Sequence, residues 1–218
     1  MDINKKTFYE RIKRINKKIS QKNRILDVGC ALGDSLDQAK KLGWKKLYGV
    51  EISKYASLKA KEKGFLIKNC SLKDAAYPKN FFDAITIQDV IEHVNDPIAL
   101  VNEVRRILSP NGVLYIVTPD VGGIWEKILG RFWYHYKPGE HILYFSQQSI
   151  KKMLIDSGYR NIQTRKTYHI MSIGYILNRL KYYSPSFFGF LINVFKGTNF
   201  LNMSFKVYSG EIEAWGEK

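Results

Sequence analysis

From Arg24 to Thr118, short apolar runs alternate with helix-length amphipathic stretches, and this alternation leaves few folds open to the chain. The pattern predicts strands at 24–28, 46–51, 65–68, 82–88 and 112–118, with helices at 34–42, 54–63 and 97–108. Strand and helix in rotation are the mark of a parallel sheet with crossover helices on its faces. The cluster Leu108-Ser109-Pro110-Asn111-Gly112 stops the third helix and opens the next strand. A helix at 147–157 and strands at 161–170 and 203–215 complete the expectation, an α/β doubly wound mixed sheet of seven strands.

Three segments stand outside that rhythm. Phe8, Ile12, Ile15 and Ile19 recur at steps of four, three and four, so residues 4–20 read as a helix packed on the sheet, within an N-terminal segment 1–22. Residues 119–146 are rich in glycine and aromatics, among them Trp125, Phe132, Trp133 and Tyr136, and read as a lid insertion. Residues 171–200 read as a helical insertion before the last strand. Its run Phe187–Phe195 is far shorter than the ~20 apolar residues of a spanning helix. The expectation is one domain, 1–218.

Charge narrows the partners more than the fold. With 35 basic against 20 acidic residues, a net +15, the chain favours anionic lipid, nucleic acid or a phosphate-bearing substrate. Cys30 and Cys70 lack metal-like spacing, which fits a reducing compartment, and the first residues lack a secretory signal. A cytoplasmic protein, monomer or homodimer, is expected, with peripheral contact at an anionic inner membrane surface permitted by its charge.

The chemistry-bearing motif is Asp27-Val28-Gly29-Cys30-Ala31-Leu32-Gly33, which runs from the first strand straight into a helix. Glycines there let the backbone turn sharply and approach a ligand closely. A dinucleotide fingerprint would need a small residue at position 34, where Asp34 stands. Glu51 closes the second strand, where an acid accepts hydrogen bonds from both hydroxyls of a ribose. Loop and acid together point to an adenosine-bearing ligand.

The loop resembles motif I of class I S-adenosylmethionine-dependent methyltransferases, with Ala31 in place of the middle glycine. Phe81-Phe82-Asp83-Ala84-Ile85-Thr86 is similar to that family's fourth-strand motif, Asp89-Val90-Ile91-Glu92-His93-Val94 to its Glu-His motif, and Arg106–Gly112 to its post-helix turn. Glu140-His141-Ile142-Leu143-Tyr144-Phe145-Ser146 resembles the segment that closes over the substrate. The branch resembled includes ubiquinone-pathway O-methyltransferases. The resemblance implies S-adenosylmethionine as cofactor, with Asp27, Gly29, Cys30, Ala31 and Gly33 along its methionine part. Glu51 and Ile52 would lie at the ribose, Ser71 and Leu72 beside the adenine, and Gln88 at the end of the fourth strand. It also implies methyl transfer to oxygen on a small-molecule, sugar or lipid-linked acceptor.

An alcohol or phenol acceptor must lose a proton, and histidine as a residue type titrates near neutrality, so His93 is the expected base with Glu92 orienting it. The alternative is that Glu92 and His93 only brace the following loop. No metal is expected, although Asp89, Glu92 and His93 lie three and four residues apart and would share a face if this segment were helical. Their layout resembles the magnesium site of some ubiquinone-pathway enzymes and of RNA 3′-end ribose methyltransferases, and with the net charge it keeps RNA ribose 2′-O-methylation as the alternative function. A non-catalytic cofactor-binding relative is a third reading, opposed by the intact motif residues.

Overall fold

The computed structural model describes residues 3–208 and 210–218. Met1, Asp2 and Ser209, which the expected segments 1–22 and 203–215 include, lie outside the described residues. Helix α1 (Ile3–Asn16) precedes β1 (Arg24–Val28), α2 (Asp34–Lys41), β2 (Lys46–Val50), α3 (Lys54–Glu62), β3 (Leu66–Lys68) and β4 (Phe82–Gln88). Then come α4 (Pro97–Ile107), β5 (Leu108–Pro119), α5 (Ile124–Leu129), α6 (Gln147–Asp156) and β6 (Arg160–Lys166). The last elements are β7 (His169–Ser172), α7 (Ile173–Leu180), α8 (Pro185–Val194), β8 (Ser204–Val207) and β9 (Glu211–Glu217).

Seven strands form one sheet in the order β3-β2-β1-β4-β5-β9-β6, with β9 antiparallel to both its neighbours and the rest parallel. This is the expected α/β doubly wound mixed sheet. Successive side chains leave a strand on opposite faces, and each face has its own core. Ile25, Ala84, Val113 and Tyr115 meet Ile12 and Ile15 of α1 and Leu36 of α2. Leu26, Ile85, Ile87, Leu114 and Ile116 meet Val101 and Val104 of α4 and Ile150 and Leu154 of α6. Ile12 and Ile15 are fully buried, each contributing about 1.5–3 kcal/mol, so α1 is held as one of the packed layers.

Local chemistry sets the helix starts. Ser53 accepts the Ala56 N–H ahead of α3, and Asp96 accepts the Ala99 N–H ahead of α4, whose first residue is Pro97. The structure differs from the sequence pattern at three joints. The turn cluster 108–112 is absorbed into β5 as a register shift between Phe82 and Ala84, with Ser109 Oγ donating to Phe82 O at 2.6 Å. The expected strands 161–170 and 203–215 each break in two, because β7 and β8 pair with one another in a separate two-stranded sheet. The insertion therefore begins and ends in a ladder of its own, tied to α1 where Ile170 N donates to Thr7 Oγ1 at 2.9 Å.

Beneath the loop that follows β1, Gly49 of β2 leaves room for the Cys30 side chain, since a Cβ there would fall 2.5 Å from Cys30 Sγ. Gly49→Val should cost about 1–3 kcal/mol by overpacking and push the loop outward. Thermal melts with and without S-adenosylhomocysteine should show a lower midpoint and a smaller shift on adding ligand.

Candidate active site

The strand order reverses between β1 and β4, and ligands of such sheets lie outside the carboxyl ends of the strands at that point. The turn after β1 occupies the position. Gly29 and Cys30 donate their N–H groups to Val50 O at 2.9 and 3.1 Å, pinning the turn to the end of β2. Gly29 has φ 70°, and a side chain there would collide with Val90 Cγ2, so only glycine fits. Ala31 is the departure from the family pattern. It takes φ 45° despite its Cβ, at a cost of about 1–2 kcal/mol, and its N–H is accepted by Glu51 Oε2 at 2.9 Å.

Glu51 is held on both sides, for its Oε1 accepts the Ser53 N–H at 2.7 Å. Each oxygen keeps a second acceptor position, so the half-buried carboxylate presents two fixed acceptors, the complement of a vicinal diol. Ile52 beside it is 80% exposed, an apolar edge next to those acceptors. Ser71 Oγ is engaged with Asp74 at 2.6 Å, and Leu72 is buried in the core, so a contact from Leu72 to a ligand would come from its main chain.

Asp27 is buried under the loop. Burial raises its carboxyl to about 6, against the lowering effect of hydrogen bonds from Thr86, Ser35 and Gln88. Gln88 is held at both ends of its amide: its Nε2 donates to Ser35 Oγ at 3.1 Å and its Oε1 accepts from Arg11 Nη1 at 3.2 Å. Arg11, 1% exposed, also donates to Glu211 Oε2 at 3.1 Å, and His169 Nε2 lies 2.5 Å from that same oxygen. Burial alone would raise Glu211, but His169 and Arg11 outweigh it and hold the carboxyl well below the usual range. Asp89, after β4, is raised by desolvation and by Glu211. The sequence reading missed Arg11 and Glu211. Their signals were faint: an arginine beside the apolar stripe of α1, and the first acid after a long acid-free stretch.

On the other side of β4, Glu92 and His93 clasp the lid. Glu92 O accepts from Ile142 N at 2.9 Å and Leu143 N at 3.1 Å. His93 Nδ1 lies 2.7 Å from Glu140 O, and because a carbonyl only accepts, Nδ1 carries the hydrogen. In the neutral ring Nε2 is therefore bare, 4.0 Å from Glu92 Oε1. The Glu92 carboxyl is buried, accepts from Thr118 Oγ1 at 2.9 Å, and is raised to about 8 by desolvation and by Asp89. His141 of the lid packs edge-on against His93 at 4.8 Å, and its buried Nδ1 has no partner. Asp89, Glu92 and His93 do not share a helical face, because only Ile91–His93 form a single 3-10 turn and Asp89 sits before it at φ 54°. The ligand-capable atoms that do converge, all within 4.8 Å, belong to Glu92, His93 and His141.

Solved structures with this architecture include S-adenosylmethionine-dependent methyltransferases. One from Archaeoglobus fulgidus superposes with a TM-score of 0.68 at 16% identity, covering 98% of this chain and 94% of its own. A Haemonchus contortus phosphoethanolamine N-methyltransferase 2, in complex with S-adenosyl-L-methionine, superposes at 0.60 with 17% identity, over 96% of this chain and 52% of that one. The fold is thus the class I methyltransferase fold, and one of these structures holds S-adenosyl-L-methionine. The chain belongs to the Methyltransferase domain family, which it matches over residues 4–164. A ubiquinone biosynthesis O-methyltransferase of Histophilus somni is 33% identical over 106 residues, 44% of this chain and 44% of that protein. The chain spans about half the length of the curated relatives it matches.

The residues at the loop fit that cofactor: a rigid pair of acceptors for a ribose at Glu51, and an acid at Asp27 beneath the turn where a cationic amino group would lie. The proton on Asp27 gives the site a pH signature. Because its carboxyl binds a proton more tightly in the folded chain, stability falls as pH rises from the ordinary 3.8 through about 6, by roughly 2–3 kcal/mol in all. Asp27→Asn should flatten that part of the melting-temperature profile. In the unsubstituted protein, calorimetric affinity for S-adenosylhomocysteine should weaken below about pH 6, where the carboxylate is lost; an affinity independent of pH there would remove Asp27 from the amino-group site.

Proposed function

We propose that this protein transfers the methyl group of S-adenosylmethionine to an oxygen of a small-molecule or lipid-linked acceptor, with His93 as the base. When bound, the cofactor supplies an electrophilic methyl group on a sulfonium. The chain's own residues have three tasks: to fix the donor, to align the acceptor oxygen, and to take its proton. Glu51 and the Gly29–Gly33 turn fix the donor, with Ile52, Ser71 and Leu72 beyond them. The lid, clasped by Glu92 O, covers part of the side on which His93 stands.

The observation that carries the reading is the bond between His93 Nδ1 and Glu140 O, which leaves Nε2 as the free basic nitrogen of a half-exposed ring. Glu92 sits beside it as an orienting group. The O-methyltransferase named in Histophilus somni supports oxygen as the methylated atom. Cys30 and Cys70 are free thiols, and no helix among the described residues is long and apolar enough to cross a membrane, which supports a place in the cytoplasm.

A second reading rests on His141. Its unpartnered Nδ1, with Glu92 and His93, forms an N,N,O set suited to a divalent ion. In that reading the three side chains would hold a Lewis acid at the acceptor oxygen. Turnover that survives a chelator supports the metal-free base; turnover lost to the chelator and restored by a divalent salt supports the ion.

His93→Ala should lower kcat by about 10²–10⁴-fold while leaving calorimetric affinity for S-adenosylhomocysteine unchanged. Equal losses in both would assign His93 to bracing the lid alone. Glu51→Ala should do the opposite, weakening the ligand while sparing the pH dependence of turnover.

A further inference from the structure

The outer face of α8 carries no charge where a surface helix ordinarily turns its polar side to water. Phe187, Phe190 and Val194 follow one another at steps of three and four, on one face, and are 57%, 64% and 53% exposed. The inward residues Phe188, Leu191 and Ile192 are half-buried, so the helix is apolar but for Ser186 and Asn193. The turn before it adds Tyr182, the most exposed large hydrophobic side chain among the described residues at 87%.

This face continues into the lid. Tyr183 Oη donates to Phe132 O at 3.5 Å, and the Arg179 guanidinium lies 4.5 Å from the Tyr134 ring. Phe132 and Ile128 are themselves well exposed. Single exposed apolar residues need no explanation, but a contiguous patch of this kind marks an interaction surface.

Charge selects the occupant. Between Asp156 and Glu211 the chain contains no acidic residue, while Arg179, Lys181, Lys196 and Lys206 lie within that span. The lid contributes Lys127 and Arg131. A second copy of the chain would bring the same cations to the contact and be repelled by them. An aromatic platform with a predominantly cationic rim, Glu126 being the acid nearest to it in the lid helix, is complementary to a layer of anionic headgroups over hydrocarbon. We propose that α8, the turn before it and the Phe132 edge of the lid dock on the surface of a bilayer containing anionic phospholipid. The aromatic rings enter the interfacial layer and the lysines remain among the headgroups. Docking of this kind does not depend on the methyl-transfer reading, although it would set the lid, with His141 and the neighbouring His93, beside the lipid phase.

The test is flotation of the full chain with vesicles of phosphatidylcholine alone and with about one-third phosphatidylglycerol, at about 0.1 M and about 1 M salt. The protein should float with the anionic vesicles, at least tenfold more weakly with the neutral ones, and should be released by salt. Lys181→Glu with Lys196→Glu should weaken partitioning at least about fivefold per lysine, and Phe187→Ser with Phe190→Ser at least tenfold. Unchanged melting and unchanged affinity for S-adenosylhomocysteine will show that these variants fold. The proposal is overturned if the protein fails to float with anionic vesicles, or if both pairs of substitutions leave flotation intact. It is also overturned if light scattering shows a dimer that the phenylalanine substitutions dissociate while vesicles are ignored. Failure to bind S-adenosylhomocysteine with flotation intact would defeat the methyltransferase reading and leave this one standing.

Discussion

The structure is organised about a guanidinium with almost no access to water. Arg11 comes from the N-terminal helix, yet its two terminal nitrogens reach Gln88 at the end of β4 and Glu211 at the start of β9. Removing one partner of such a buried pair leaves an uncompensated charge, which costs about 3–5 kcal/mol. The helix is therefore fixed to the sheet by charge as well as by Ile12 and Ile15. Gln88 passes the constraint to Ser35, and Ser35 to Asp27, so that a line of hydrogen bonds runs from the far strand to the floor of the cofactor turn.

That line explains why the sheet edge and the cofactor side form one unit. β9 runs antiparallel between β5 and β6, and its acids Glu211 and Glu213 point to the same face at alternate positions. Glu211 receives Arg11, while Glu213 receives Arg14 at 2.8 Å and Arg165 at 2.6 Å. Two arginines on successive turns of one helix thus meet two acids on one strand, which sets the register between helix and sheet.

Much of this was legible before any coordinates. The parallel strands and their crossover helices were readable because each is a local pattern: a period of two, a period near four, and a turn cluster between them. β1 and β4 fall at the expected boundaries, and the Gly29–Gly33 turn lies against Glu51 as its spacing required. The separate β7–β8 ladder was not readable, because two short strands look like extensions of their neighbours until their pairing is known. Nor was the Arg11 cluster, whose members lie up to 200 residues apart and carry no shared periodicity. Asp89 was grouped with Glu92 and His93 by counting along a helix. The left-handed turn at Asp89 breaks that count, and His141 enters from a distant segment instead.

The lid is fastened by the same two residues to which the proposed reaction assigns the chemistry, and this has a consequence for timing. If Glu140 withdraws, the imidazole of His93 loses the carbonyl that fixes its proton on one nitrogen, and either tautomer becomes available. The basic nitrogen then faces the acceptor in only part of the molecules. In the proposed reaction, closing the lid and choosing the basic nitrogen would then be a single event, with no catch or spring elsewhere in the molecule required to synchronise them.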